Sequence, residues 1–317
     1  MDAPVPPSQR LAELDARRTQ LRPRVDAAVL SAFERAAEAV GEALDGLGLV
    51  DLGPLLGSPM SPNVLRRVRT SSGDLGVLKL VGTGDLGESA TLAAWTEAGV
   101  AAVPLLDHGL GRWVPEVVHL LMRDTPGEPM PHTAMAGWTG PVVAALARAH
   151  LPAPVGVRPL VELLAPRLTV AAEVWAGAGL GEPPPVLDAL VRVADGTLLH
   201  GDAVGMNLLL DSDRVWLLDP AGVHGPAEFD AGRWVGRSLA TAGPSALVGL
   251  LDVSVAADPS LRRDVLDLCV AAELVLEVRH RVTSPDAFVS IGAAADTFDA
   301  DTRQLVVASR DLAAAWG

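Results

Sequence analysis

Three oxygen-bearing side chains occur in a fixed order late in this 317-residue chain. Asp202 ends a His-Gly-Asp triplet, Asn207 lies five residues later, and Asp219 lies twelve residues after Asn207. Phosphoryl transfer needs a carboxylate that orients the attacking hydroxyl, and hard oxygen ligands that hold Mg²⁺ against the nucleotide phosphates. The order predicts Asp202 as catalytic base and Asn207 and Asp219 as metal ligands. The alternative is an ordinary loop followed by a strand end.

Two apolar runs around a polar turn indicate how the predicted metal ligands meet. Residues 208–210 and 215–218 are hydrophobic, and Asp-Ser-Asp-Arg separates them, which predicts a β-hairpin. Asn207 then opens one strand and Asp219 closes the other. Because a hairpin sets such positions side by side, both can contact one cation.

The segment from Leu198 to Asp230 resembles the catalytic-loop and metal-binding motif of the aminoglycoside phosphotransferases, most closely the streptomycin 6-kinase and hydroxyurea-resistance branch. Residues of that motif are kept at His200, Gly201, Asp202, Asn207, Asp219, Pro220, Gly225, Pro226 and Asp230. Where the family usually has Leu-His-Pro-Gly, this chain has Ala-Val-Gly-Met at 203–206. None of these replaced positions supplies a required oxygen. The resemblance implies that His200 orients the catalytic loop.

An upstream lysine has the character of a buried cation. The runs 64–70 and 75–81 flank Ser-Ser-Gly-Asp and predict a second hairpin, with Lys79 on the same strand face as Val77 and Val81. An inward ammonium needs an anionic partner. Glu88, on a predicted helix, is the first candidate, and Glu97 is the second.

The resemblance gives this pair a role, because in that family the strand lysine binds nucleotide phosphates and pairs with a helix glutamate. Lys79 and Glu88 occupy those places in order. The alternatives are an edge-strand lysine that discourages aggregation, and an ordinary acid in the first turn of a helix.

The resemblance also assigns the remaining nucleotide contacts. A predicted strand over 117–122 leads into the hinge, where backbone groups from Arg123 to Thr125 would receive the adenine edge and Met122 would guard the pocket. From spacing alone, Met122 is a core residue. The segment 56–63 takes the place of the phosphate-covering loop, although its single glycine and two prolines fit a plain polar connection equally well.

Composition restricts the class of partner. The net charge of −14 argues against nucleic acid and anionic membranes and favours a cationic small molecule. Glu228 is a candidate contact for that cation, or else a solvated surface acid. The single cysteine, Cys269, rules out an internal disulfide, and no apolar run reaches a membrane span, so we expect a cytoplasmic protein.

The patterns together predict an α+β, two-lobed fold of the protein-kinase type. Amphipathic helices interrupted near Pro23 precede a β-rich lobe, giving residues 1–122, and a helical lobe with the catalytic loop and acceptor site follows at 123–317. Helical patterns cover 141–150, 160–178, 185–194 and most of 261–316. The nucleotide is expected between the lobes.

The predicted activity is transfer of a phosphoryl group from ATP or GTP, with Mg²⁺, to a hydroxyl of an aminoglycoside such as streptomycin. One alternative is a kinase for another hydroxylated metabolite, an amino sugar or a hydroxyurea-like compound. A second alternative is a degenerate kinase fold that binds nucleotide without turnover, suggested by the altered residues 203–206. The sequence leaves the oligomeric state open.

Overall fold

The computed structural model describes residues 3–55, 61–193, 195–212, 214–284 and 298–316. The chain divides into two compact units, one of residues 1–98 and 103–125, the other of residues 99–102 and 126–317. The first contains an antiparallel sheet and the second is mainly helical, so the predicted α+β class is confirmed. None of the helices in the described ranges is long and apolar enough to cross a membrane.

The first unit is a five-stranded antiparallel sheet with helices. In chain order its elements are α1 (Pro7–Leu21), α2 (Ala27–Gly46), β1 (Val50–Pro54), β2 (Val64–Arg69), β3 (Leu75–Val81), α3 (Gly87–Ala98), β4 (Leu105–Leu110) and β5 (Val118–Arg123). The strands are ordered β1-β2-β3-β5-β4. The predicted hairpin of β2 and β3 is confirmed, and β3 is the central strand of the sheet.

The first two helices form the core of this unit together with the sheet. As predicted, the helical pattern is interrupted around Pro23: α1 ends at Leu21, and Asp26 caps α2 by accepting a hydrogen bond from the Val29 amide at 2.9 Å. Apolar residues of both helices pack with the sheet in one buried cluster, which includes Leu21, Phe33, Ala36, Val40, Leu44, Val68, Leu78 and Leu80.

The second unit is built mainly from helices, with two small sheets. In chain order its elements are β6 (Glu128–Pro129), α4 (Thr139–Ala149), β7 (Arg158–Pro159), α5 (Leu160–Gly177), α6 (Val186–Arg192), β8 (Thr197–Leu199), β9 (Leu208–Asp211), β10 (Arg214–Leu217), β11 (Val223–Gly225), α7 (Glu228–Ala242), α8 (Leu247–Ala257), α9 (Arg263–Thr283) and α10 (Phe298–Ala313). The sheets are ordered β10-β9-β6 and β7-β11-β8.

Two features of this unit position the site. The predicted hairpin is confirmed as β9 and β10, with Leu208 opposite Leu217 at its open end. Helix α9 lies at the centre of the apolar core, where most of its residues from Val265 to Val278 are buried. The sequence patterns identified α9 but not α7, whose polar residues turn out to be largely buried against it.

Candidate active site

Asp230 holds the His-Gly-Asp loop in place. Its buried carboxylate accepts the amide of His200 at 2.8 Å and the amide of Gly201 at 2.7 Å, and it contacts Nε2 of His150 at 3.1 Å. Gly201 has a φ of 70°, and an added Cβ would lie 2.4 Å from the side chain of Val223. Only glycine fits that turn without a shift of its neighbours.

Burial alone would raise the pKa of Asp230, yet the net pKa is lowered, because His150 and the loop amides stabilise the carboxylate. An ionised acid therefore anchors the loop that ends at Asp202. The ring Nδ1 of His200 accepts the Asp202 amide at 3.3 Å, so His200 contacts the loop as the resemblance implies.

Asp202 keeps both carboxylate oxygens engaged while its side chain remains 37% exposed. Oδ2 accepts a hydrogen bond from Nδ2 of Asn207 at 2.9 Å, and Oδ1 accepts one from Nη2 of Arg233. Burial would raise the pKa of Asp202, but the guanidinium of Arg233 reverses this and the pKa is lowered. The residue is thus an oriented, ionised carboxylate that solvent and small molecules can reach.

The two predicted metal ligands lie on backbone segments that are hydrogen-bonded to each other. The amide of Leu218 donates to the carbonyl of Asn207 at 2.9 Å, and the amide of Ala221 donates to the carbonyl of His200 at 2.7 Å. Asp219 lies between these bonds, with a φ of 50° that few non-glycine residues adopt. Strained backbone of this kind is often found at functional sites.

The donors at this position suit Mg²⁺. The amide nitrogen of Asn207 is engaged by the carbonyl and Oδ2 of Asp202, which leaves its Oδ1 for a cation. Asp219 would add a carboxylate. In the described part of the chain, no group of three or more His, Cys, Asp or Glu side chains is arranged to hold a metal. Two protein oxygens completed by phosphates and water are typical of Mg²⁺ bound with a nucleotide.

Arg233 joins Asp202 to the buried Glu273, and sequence reasoning predicted neither Arg233 nor Glu273. Its Nη1 donates to Oε2 of Glu273 at 2.7 Å, while its Nη2 binds Asp202. Burial opposes the charge of Arg233, but Glu273 and Asp202 outweigh it and raise the arginine pKa. Arg233 lies on α7 and Glu273 on α9, so a long-range helix contact creates this arrangement.

Glycines on α7 permit that contact. A Cβ on Gly232 would lie 2.7 Å from Cβ of Cys269, and a Cβ on Gly236 would lie 2.6 Å from Cγ of Glu273. In both helices the contacting residues are spaced by four, which places them on one face. The spacing Gly-Arg-x-x-Gly at 232–236 was the available sequence signal for Arg233.

The first unit contains the predicted lysine pair. Lys79 is buried on the central strand β3, and its Nζ lies 2.7 Å from each carboxylate oxygen of Glu88. The edge-strand alternative is therefore wrong, and the second candidate, Glu97, is exposed. The role of Lys79 and Glu88 in binding phosphates stays a prediction.

The predicted adenine contacts lie at the end of the same sheet. Met122 is buried on β5, and Thr125 donates through its hydroxyl to the carbonyl of Arg123 at 3.2 Å. The amides of Arg123 and Asp124 already donate to the carbonyls of Pro104 and Leu75, at 3.0 and 3.1 Å. These bonds engage two of the backbone amides that the resemblance assigns to adenine, and the adenine-binding role of this segment stays a prediction. Of the predicted phosphate loop, residues 56–60 lie outside the described residues.

The interpretation of Glu228 as an acid open to a cation is wrong. Its side chain is buried, and Oε1 accepts the amide of Arg262 at 3.0 Å and its Nε at 2.8 Å. Oε2 accepts Nη2 of Arg262 at 3.1 Å. Burial would raise the pKa of Glu228, but these bonds lower it, so the residue is a structural ion-pair partner.

Comparison with solved structures identifies the fold. Aminoglycoside phosphotransferase APH(4)-Ia, solved with ADP and hygromycin B, has a TM-score of 0.52 at 14% identity, covering 86% of this chain and 98% of its own. Amicoumacin kinase hAmiN, solved with AMP-PNP and Ca²⁺, has a TM-score of 0.52 at 12% identity, and the match covers 95% of this chain and 96% of that kinase. A choline/ethanolamine kinase family protein from Mesorhizobium loti has a TM-score of 0.50 at 17% identity, and the match covers 88% of this chain and 93% of that protein.

Sequence comparison adds no assignment. No protein-family model matches the chain, and no curated protein matches it. At identities of 12 to 17%, the structural likeness establishes the fold and leaves the reaction to be inferred from the site. The chain therefore has the kinase-like fold of the aminoglycoside phosphotransferases and related small-molecule kinases.

Proposed function

We propose that the protein is a small-molecule phosphotransferase that moves the γ-phosphoryl group of ATP or GTP to a hydroxyl group. The observation that carries this proposal is the state of Asp202: ionised, fixed by Asn207 and Arg233 on separate oxygens, and still 37% exposed. A carboxylate held in this way can accept a hydrogen bond from an acceptor hydroxyl and align its oxygen for attack.

Asp202 acts in this proposal by orientation more than by strong basicity. Its lowered pKa keeps it ionised at neutral pH but makes it a weak proton acceptor. A loose phosphoryl-transfer transition state requires little proton removal before attack, so an aligned weak base is sufficient. Mg²⁺, when bound by Asn207 and Asp219, would neutralise charge on the transferring group.

Lys79 is the residue proposed to bind the nucleotide phosphates. A lysine buried on a central strand and held by Glu88 presents a fixed ammonium, and such a group suits a phosphate oxygen. Neighbouring structures contain ADP or AMP-PNP, which supports a nucleotide as phosphoryl donor. Met122, Arg123 and Thr125 are the proposed adenine contacts.

Two acceptor classes follow from different observations. The net charge of −14 and the hygromycin B complex of one neighbour favour a cationic aminoglycoside, with streptomycin as the first compound to test. The choline/ethanolamine kinase neighbour shows that the fold also serves other acceptors.

The test is acceptor-dependent nucleotide consumption. The purified full-length chain, with Mg²⁺ and ATP or GTP, is screened against aminoglycosides, neutral sugars, sugar acids and amino alcohols. ADP or GDP formation that depends on one acceptor, and that is lost in Asp202→Asn, supports the proposal. Nucleotide binding by calorimetry without turnover of any acceptor would support the degenerate-kinase alternative.

A further inference from the structure

Lys79 is the only lysine among the 25 lysine and arginine residues of the chain. Its side chain is 4% exposed, and its Nζ lies 2.7 Å from each carboxylate oxygen of Glu88. A buried charge is stable only while its counter-charge stays in place. The position of Glu88 relative to strand β3 therefore decides how the ammonium of Lys79 is held.

A short connection joins the strand that carries Lys79 to the helix that carries Glu88. It begins at Gly82, directly after β3, and leads to α3, whose first residue is Gly87. Within the connection, Oδ1 of Asp85 accepts a hydrogen bond from the Gly87 amide at 2.9 Å. This local bond orders the first turn of α3, but it does not set the distance between α3 and the strand.

Helix α2 contacts the beginning of this connection through its backbone. An added Cβ on Gly82 would lie 1.9 Å from the carbonyl oxygen of Ala32, so only glycine fits there. Ala32, Ala36 and Ala39 are buried, and their spacing of three to four residues places them on one face of α2. These small side chains let the helix lie close to the sheet, and a shift of the connection would have to displace α2.

Arg35, one turn after Ala32 on α2, binds the same glycine. Its Nε and Nη2 both donate to the carbonyl of Gly82, at 3.0 and 2.6 Å. Its Nη1 donates to Oγ of Ser31 at 3.0 Å, which orients the guanidinium. Glu116 lies 3.7 Å from Nε, but its side chain is 71% exposed, and such ion pairs contribute little. The Gly82 carbonyl is therefore the main partner of this charged donor.

Apolar packing already holds α2 on the sheet without Arg35. Phe33, Val40 and Leu44 of α2 belong to the same buried cluster as Leu78 and Leu80 of β3. Hydrophobic burial is not directional, so this cluster fixes the helix against the sheet but leaves the connection after β3 free to move. The two hydrogen bonds from Arg35 supply the missing direction, because they fix the first residue of the connection.

On the basis of the phosphotransferase function proposed above, we infer that Arg35 is a positioning residue for nucleotide binding. By holding Gly82, it keeps α3 where Glu88 meets Lys79, and it thereby fixes the ammonium that is proposed to bind the nucleotide phosphates. Arg35 acts through Lys79 and not by contact with the nucleotide. Its removal should weaken the contact to the phosphates and leave the contacts to the nucleoside and to the acceptor intact.

The lysine pair can be observed directly, because the chain has a single lysine. Labelling of the full-length protein with ¹³C,¹⁵N-lysine gives one set of side-chain NMR signals, those of Lys79. Arg35→Ala should shift the Cε and Nζ signals towards those of Glu88→Gln, in which the ion pair is absent. Arg18→Ala, at an arginine of α1 that pairs with Asp15 at 2.9 Å, is the matched control and should leave them unchanged.

Arg35→Ala is expected to fold, because the apolar face of α2 is kept and alanine is the most favourable helix residue. Circular dichroism checks this expectation. Lysine signals of wild-type position in a folded Arg35→Ala variant would overturn the inference. This result requires no nucleotide, so it is independent of whether the proposed function holds.

Nucleotide binding tests the consequence of the contact. Calorimetry compares ATP with adenosine, which lacks the phosphates. Arg35→Ala should raise the Kd of ATP about tenfold and that of adenosine less than about twofold. Equal changes for both ligands, or none, would refute a role through the phosphates. A wild type that binds no ATP refutes both the inference and the proposed function, whereas the expected pattern without turnover of any acceptor refutes only the proposed function.

A double-variant cycle separates positioning from general destabilisation. In Glu88→Gln the pair is already broken, so the addition of Arg35→Ala should raise the Kd of ATP by less than about twofold. Ser31→Ala removes only the oxygen that orients Nη1, and should raise the Kd about two- to threefold; it takes the place of Arg35→Ala in all three experiments if that variant does not fold. An equal loss of ATP affinity with and without Glu88 would show that α2 acts independently of the lysine pair, and would overturn the inference.

Discussion

Each unit contains a buried arginine held between two acids, Arg66 in the first and Arg233 in the second, and the two clusters differ in exposure. In the first unit, Arg66 donates to both oxygens of Asp51 at 3.0 and 2.8 Å, and to Glu13 at 2.7 Å. In the second, Arg233 donates to Glu273 and to Asp202. The Asp51 side chain is 4% exposed, whereas that of Asp202 is 37% exposed.

This difference distinguishes a structural cluster from the cluster that is proposed to be functional. Both oxygens of the buried Asp51 carboxylate accept hydrogen bonds from one guanidinium inside the unit, so Asp51 is not open to a ligand. Asp202 receives one bond from Arg233 and another from Asn207 and still faces solvent. The same charged groups therefore stabilise the fold in one unit and are proposed to hold a reactive carboxylate in the other.

The largest expected effect is on catalysis by the exposed acid. Asp202→Asn should lower kcat by about 10²- to 10⁴-fold, the usual range when an acid–base group is removed. Nucleotide affinity should change little, since Asp202 is not a proposed nucleotide ligand. Steady-state kinetics and calorimetry measure the two effects. The matched control, Asp51→Asn, should leave kcat per folded molecule near the wild-type value. An equal loss of kcat in both variants would show that the two clusters do not differ in function.

Removal of the central arginines should separate stability from activity. Arg66→Ala leaves the buried Asp51 with only Arg10 at 3.5 Å, and Arg233→Ala leaves the buried Glu273 with only Arg237 at 4.0 Å. Each should lower the free energy of unfolding by about 3–5 kcal/mol, as seen when a buried ion pair loses one partner. Chemical denaturation measures this loss.

Turnover then distinguishes the two arginine variants. Arg233→Ala should also lower kcat per folded molecule, because Asp202 loses one of its two orienting bonds, and Arg233→Lys should restore part of that loss. Arg66→Ala should keep kcat per folded molecule. If Arg233→Ala keeps full kcat, Arg233 has only a structural role.

The close packing of α7 on α9 can be tested by a substitution with a smaller expected effect. Gly236→Ala would place a methyl group 2.6 Å from Cγ of Glu273, and should cost about 1–3 kcal/mol through overpacking. Gly249 on α8 has no atom near a would-be Cβ, so Gly249→Ala should be neutral or stabilising by up to about 1 kcal/mol. Thermal and chemical denaturation of both variants measure the contrast. Equal effects would show that close packing of α7 on α9 is not what positions Glu273.

The smallest effect is expected on the way the free energy of unfolding falls at acidic pH. The pKa of Asp230 is lowered in the folded state, so its contribution is present above the unfolded pKa of roughly 3.9 and is lost as pH falls through the folded value. Asp230→Asn should therefore flatten the loss of stability below about pH 4, by at most about 1.4 kcal/mol per pH unit. Urea denaturation from pH 3 to 7 measures this slope, and an unchanged slope would show that Asp230 does not anchor the loop as an ion.

Local spacing was sufficient to predict much of the site. The hairpins β2–β3 and β9–β10 follow from apolar runs around polar turns, and the pairing of Lys79 with Glu88 follows from a strand cation near a helix acid. In these cases the partners lie close in sequence, so alternation and turn chemistry determine the geometry. The family resemblance supplied the roles of these residues.

Partners far apart in sequence were not predictable in this way. Arg233 and Glu273 are 40 residues apart, and their contact depends on how α7 packs against α9. Helix α7 was not predicted, although Ala231, Trp234, Val235 and Leu239 recur at helical spacing; that period does not indicate that the glycine, arginine and acidic residues between them are buried as well. Glu228 was misread for the same reason, since its partner Arg262 lies on a distant segment.

The most direct test of the central claim is detection of the phosphorylated product. ³¹P NMR of the full-length chain with Mg²⁺, ATP and an acceptor identified by screening should show a phosphomonoester signal that grows in step with ADP, and no such signal with Asp202→Asn. ADP accompanied only by inorganic phosphate, or a phosphomonoester formed equally fast by Asp202→Asn, would contradict the assignment of Asp202 as the group that directs an acceptor hydroxyl.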